Sequence, residues 1–91
     1  MAAENQFTKD PDAILDYQID WSAWLGTDTI NTSTWIMPTG ITKVSDNKTT
    51  TTATVWLSGG TSGTLYRVTN RILTVGNRTD DRSLEIFVEQ R

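Results

Sequence analysis

The sequence predicts an all-β domain, with about six or seven short antiparallel strands folded into two sheets packed face to face. Three observations lead there. β-Branched residues number 29 of 91, 17 of them Thr, and such side chains suit a pleated sheet better than a helix. Apolar and polar residues alternate with period two over Thr52 to Leu57, Leu65 to Val75 and Ser83 to Glu89. Turn signals recur every ten residues or about that, and no segment reads as a crossover helix. A small barrel of about five strands is the alternative, because strand count alone does not separate the two architectures.

Taken in order, Met1 to Asp12 has one aromatic residue and no periodicity. It is predicted to be a flexible N-terminal arm ending in a turn at Asp10-Pro11-Asp12, with residues 13–91 forming the single domain. From Ala13 to Leu25, Leu15, Tyr17, Ile19, Trp21, Ala23 and Leu25 alternate with polar positions. Two strands are expected, Ile14 to Gln18 and Asp20 to Leu25, divided by a bend near Ile19-Asp20. Ile14, Tyr17, Trp21 and Trp24 also recur at steps of three and four, so a helix competes for this segment. Gly26-Thr27-Asp28 is a turn, Asn31 to Met37 a strand closed by Pro38, Ile41 to Val44 a short strand, and Ser45 to Lys48 a polar turn.

Thr49 to Leu57 follows as a longer strand with Ala53, Val55 and Leu57 inward and Trp56 outward. Ser58 to Gly63 is a loop in which Gly59, Gly60 and Gly63 supply positive backbone dihedrals. The last third is a hairpin: Leu65 to Val75, a turn over Gly76 to Asp81, and Ser83 to Glu89. Arg67 and Arg71 are expected to face Glu85 and Glu89 across it.

Composition narrows the chemistry. With no Cys and no His, the chain lacks thiols, disulfides, an imidazole base and the usual zinc ligands. An activated Ser or Thr would need a Lys or carboxylate base, and Lys9, Lys43 and Lys48 fall in the arm or near polar turns. The chain is therefore predicted to be no enzyme and to use no cofactor or metal. Asp16 with Asp20, and Asp80 with Asp81, are paired carboxylates, but neither pair has the ligand spacing of a calcium loop. A net charge of -3 offers no general attraction to nucleic acid or anionic lipid. No apolar run is long enough to cross a membrane, the acidic and polar first residues do not read as a secretory leader, and the triplets at Asn31, Asn47 and Asn77 are expected to carry no sugar.

Trp21 and Trp35 are read as core, and Tyr66 as the anchor of the glycine-rich loop, donating its hydroxyl to backbone. Trp24 and Trp56 lie off the inward alternation, while Arg78, Asp80, Asp81 and Arg82 crowd one turn. These six are the interface candidates, with a patch expected to combine Trp56 with the Arg78 to Arg82 loop or the arm. The alternative is a carbohydrate-binding module that stacks sugars on Trp24 and Trp56.

Asp16-Tyr17-x-Ile19-Asp20-Trp21-Ser22-x-Trp24-Leu25, Thr34-Trp35, the stretch Thr54-Val55-Trp56-Leu57-Ser58-Gly59-Gly60-Thr61 with Gly63, Tyr66, Val68 and Asn70 beyond it, and Arg78-Thr79-Asp80-Asp81-Arg82-Ser83 together carry a resemblance. The chain after Lys9 resembles the small immunoglobulin-like virion proteins of tailed bacteriophages and prophages, of the fiber-tail adaptor kind. Leu65 and Asn77 depart from the pattern, where Thr and Gly are more usual. The resemblance implies an immunoglobulin-like sandwich and a structural role in the virion, in the tail or at a tail/fiber junction. It also implies contacts with other virion proteins or with further copies of itself, and assembly in the bacterial host cytoplasm.

Overall fold

The computed structural model describes residues 6–90. Seven strands, β1 (Gln6–Lys9), β2 (Leu15–Asp20), β3 (Ile30–Ile36), β4 (Ile41–Lys48), β5 (Thr52–Gly59), β6 (Leu65–Thr74) and β7 (Thr79–Val88), and one helical turn, α1 (Ser22–Leu25), make up the domain. The strands form two sheets, β1-β7-β6-β3 and β2-β5-β4, which do not close on one another, so the architecture is a sandwich and not a barrel. Tyr17, Ile19, Trp21, Trp35, Val55, Leu57, Tyr66, Val68, Ile72, Leu84, Ile86 and Val88 fill the space between the sheets. The alternation in β5, β6 and β7 sends every second side chain inward, as predicted.

Four segments differ from the sequence reading. The predicted arm contains β1, which pairs in parallel with β7 from Gln6 opposite Glu85 to Lys9 opposite Val88. The domain therefore begins before the turn at Asp10, and Met1 to Asn5 lie outside the described residues. Nothing periodic marks β1, because two side chains hold it. Phe7 tilts against Tyr17 with ring centroids 5.0 Å apart, and Lys9 is fully buried with its ammonium on the carbonyls of Asp10 and Gly59. The turn itself is present, with the Asp10 carboxylate accepting from the Asp12 N–H at 2.8 Å.

Strand β2 runs straight through the expected bend at Ile19-Asp20 to end at Asp20, and of the second predicted strand Ser22 to Leu25 form a helical turn instead. Trp21 and Leu25 are buried and Trp24 packs against the core, the spacing of three and four that competed with period two. Asp20 starts the turn by accepting the Ser22 N–H at 2.9 Å. Strand β4 continues through the predicted turn Ser45 to Lys48, and the chain reverses at Thr49 to Thr51, where the Thr49 hydroxyl accepts from the Thr51 and Thr52 N–H groups. An irregularity between Lys43 and Ser45 lets this edge strand run on, and it carries a Lys43–Asp46 ion pair.

In the last hairpin the reversal is shorter than expected, so Thr79 to Asp81 are already strand. The register places Arg67 opposite Glu85 but Arg71 opposite Asp81, not Glu89. Antiparallel partners move in opposite directions along the chain, so two arginines four residues apart meet acids four residues apart in reverse order.

Candidate functional site

At the end of the sandwich formed by α1 and the β6–β7 turn, two tryptophans and two arginines stack. Trp21 and Trp24 meet edge to face at 5.4 Å, Arg78 lies 4.3 Å over the Trp24 ring, and Arg82 lies 4.3 Å over the Trp21 ring. The guanidinium groups are also hydrogen-bonded within the chain, Arg78 to the Asp28 carboxylate and the Leu25 carbonyl and Arg82 to the Asp20 carbonyl. Three of the interface candidates, Trp24, Arg78 and Arg82, are thus engaged with the domain itself. They fasten α1 and the β6–β7 turn onto the core.

Asp28 organises this end, and the sequence reading assigned it only to a turn. Its carboxylate accepts from the N–H groups of Thr29 at 2.8 Å and Gly76 at 3.0 Å and from Arg78 at 3.1 Å. Gly76 leaves it room, since a Cβ there would stand 2.8 Å from Oδ2. The Thr74 hydroxyl is the largest influence that lowers the acid's pKa to about 2, burial opposes it, and the Thr29 and Gly76 amides and Arg78 add to it. The folded pKa lies below the ordinary 3.8, so this contribution to stability is whole above about pH 4 and is lost as pH falls towards 2. Urea unfolding across acid pH is expected to show that slope in the wild type. In Asp28→Asn it should be shallower and stability at neutral pH lower; Asp20 and Asp81, also lowered, keep part of the slope. An unchanged slope in the variant would remove Asp28 from this role.

Two further core residues carry polar work. Asn70 is fully buried, accepts the Trp21 indole N–H at 2.9 Å and donates to the Ser33 hydroxyl and the Thr34 carbonyl. An Asn at an inward position of an apolar alternation was the available signal, since a buried amide needs partners. Tyr66 anchors the glycine-rich loop, but its hydroxyl accepts the Thr61 N–H at 2.9 Å and does not donate to backbone as expected. Gly59, Gly60 and Gly63 all have positive φ. Trp35 is core, as read.

The paired acids stand apart in function. Asp81 forms a two-point pair with Arg71, at 2.7 and 2.9 Å, and that hydrogen bonding holds its carboxyl below the usual range. Asp80 accepts the Asp81 N–H. The described residues hold no group of three or more acids that would hold a metal ion. No helix among them is long and apolar enough to cross a membrane.

The two outer faces contrast. On the four-stranded sheet, Arg67 pairs with Glu85, Arg71 with Asp81, and the Thr69 and Ser83 hydroxyls bond at 2.9 Å. On the three-stranded sheet, Trp56 stands outward with 38% of its surface exposed, between Asp16 on β2 and Ser45 on β4. The adjacent row is Gln18, Thr54 and Asn47. Among the described residues these five polar side chains have no hydrogen-bond or ion-pair partner. The expected patch joining Trp56 to the Arg78 to Arg82 loop does not form, because Trp56 faces out from one sheet while both arginines fold onto tryptophans at the α1 end.

A family model described as podophage GP4 fiber-tail adaptor protein gp77 matches residues 9–87. The chain belongs to this adaptor family. The matched segment includes Lys9, the buried Trp21–Asn70 pair and the whole tryptophan–arginine stack. No curated protein sequence matches the chain. A solved structure, the solution structure of the PKD domain from KIAA 1837 protein, superposes with a TM-score of 0.56 at 18% identity, covering 96% of this chain and 80% of that one. This likeness is one of fold, and it agrees with the immunoglobulin-like sandwich. The departure at Asn77 is accommodated in the adaptor fold: it adopts φ 65, a conformation Asn tolerates better than most residues after Gly.

Proposed function

We propose that this chain is a non-enzymatic structural component of a podophage tail, assembled in the host cytoplasm, that works through contacts with other virion proteins at a tail or fiber junction. The single observation that carries this reading is the family match over residues 9–87. The chemistry of the chain supports it, since a protein without His or Cys is poorly equipped for turnover. A rigid sandwich whose loops are tied down at the α1 end suits a part that transmits position. The contact surface we assign is the opposite end, where the Asp10 turn and the glycine-rich loop meet. Ile14 and Leu15, at the entry to β2, and Leu65, at the start of β6, are 58%, 39% and 49% exposed.

Crosslinking mass spectrometry on intact virions tests this. Lys9 is buried, so links are expected from Lys43 or Lys48 to other virion proteins. Ile14→Glu with Leu65→Glu should leave thermal unfolding unchanged and abolish incorporation into the particle. Absence of the wild-type protein from virions would reject the reading, and normal incorporation of the double variant would reject the assigned surface.

A further inference from the structure

The outer face of the β2-β5-β4 sheet has a composition that the tail-component reading leaves unexplained. Trp56 is its one large apolar side chain apart from Val44 at the irregularity of β4. Directly opposite partners in an antiparallel sheet share a face and lie about 5 Å apart. Asp16 and Ser45 therefore flank Trp56 closely, and Gln18, Thr54 and Asn47 form the next row on the same side. Thr42 and Ser58 pair beyond, and Asp20 pairs with Thr52 at the other end.

We propose that this face is a binding site for a neutral saccharide, with one sugar ring stacked on Trp56 and its hydroxyls taken by Asp16, Gln18 and Asn47. Every charged side chain in the centre of the other outer face is paired within the domain, whereas here a carboxylate, two amides and two hydroxyls around one aromatic ring have no partner among the described residues.

A protein partner fits such a surface poorly. Stable protein interfaces bury an apolar centre, and a flat partner would strip water from these amides and carboxylate without replacing each hydrogen bond. A sugar brings what the face lacks. Its C–H face packs on an indole, and its adjacent hydroxyls both donate and accept, matching a carboxylate that only accepts and amides that do both. The charge chooses among sugars. Asp16 and Asp20 stand on the face, the nearby Lys43 is held by Asp46 at 2.9 Å, and Lys48 reaches towards the Ile30 carbonyl at 3.4 Å, so the described residues of this face are poorly suited to a phosphate, sulfate or carboxylate substituent. Trp24, the other tryptophan considered for sugar stacking, is occupied by Arg78 and takes no part.

The test is titration of the full chain with a panel of oligosaccharides, followed by amide chemical shifts and tryptophan fluorescence. Hexamers of glucose, N-acetylglucosamine, mannose and galactose are the neutral members, and polygalacturonate is the anionic one. At least one neutral oligosaccharide is expected to bind saturably in the low millimolar range or tighter, with shifts confined to β2, β5 and β4. Trp56→Ala should weaken binding by about tenfold or more, and Asn47→Ala should weaken it with thermal unfolding unchanged. Both side chains point away from the core, so neither variant should fail to fold. Absence of saturable binding across the neutral panel, binding indifferent to Trp56→Ala, or preference for polygalacturonate would each overturn the proposal. Loss of Trp56→Ala protein from virions would also overturn it, by showing that the face is a protein contact.

Discussion

Trp21→Ala is expected to cost about 3–5 kcal/mol, enough to leave a small domain with little or no net stability. Trp21 is fully buried, its backbone N–H bonds to the Thr51 carbonyl at 2.9 Å, and its indole N–H is the donor to Asn70. Truncation opens a large cavity, removes the edge contact with Trp24 and the platform under Arg82, and leaves the Asn70 carbonyl oxygen buried without its donor. Trp21→Phe separates these effects. It keeps an aromatic ring in the site but loses the hydrogen bond together with the part of the indole that phenyl does not replace, so a smaller cost of about 2–3 kcal/mol is expected. Asn70→Ala should cost a similar amount by orphaning the indole N–H. Urea unfolding of both single variants and the double variant should show coupling between the two positions. If Trp21→Ala proved no more damaging than the outward Trp56→Ala, the indole would not be the keystone described.

The second large effect is expected at Gly60. Its φ of 101 is a conformation that side chains other than glycine rarely adopt, and a Cβ there would lie 2.7 Å from Cγ2 of Val88. The backbone strain is worth about 1–3 kcal/mol. The collision adds about 1–3 kcal/mol, because Val88 is itself fully buried and has nowhere to retreat. Gly63→Ala is the control: φ is 88, but nothing lies within 4 Å of the added methyl, so it should carry the strain alone. Thermal unfolding of Gly60→Ala is expected well below that of Gly63→Ala. Equal losses would mean that the loop shifts to absorb the contact. The same loop supplies the Gly59 carbonyl to buried Lys9 and the Thr61 N–H to Tyr66, so damage at Gly60 should also loosen β1.

Much of the fold was legible because one physical rule governs it. Side chains on a strand alternate, so a half-buried strand writes its inward face into the sequence as period two. That is why β5, β6 and β7 and the inward Val55, Leu57, Val68 and Ile72 could be read directly. The rule weakens where an element is too short to show a period. Helix and strand templates overlap over Ser22 to Leu25, and packing of Trp21, Trp24 and Leu25 against the core decides for the helix. Strand β1 has four residues and pairs in parallel with the far end of the chain, an arrangement that no local pattern announces.

The candidate site divides in the same way. From sequence, the outward place of Trp56 followed from its neighbours on β5, and an arginine- and tryptophan-rich group was visible. Whether those arginines were free depended on residues about fifty positions away, since Arg78 reaches Asp28 and Leu25. By itself, the sequence determined the all-β class, the inward faces of its long strands and a chemistry without imidazole or thiol, because these depend on composition and near neighbours. Only the tertiary structure decided which charges are spent inside the domain, that Lys9 is buried, and that among the described residues Asp16, Gln18, Ser45, Asn47 and Thr54 around Trp56 have no partner. Those outcomes depend on which distant segments the two sheets bring within hydrogen-bonding distance.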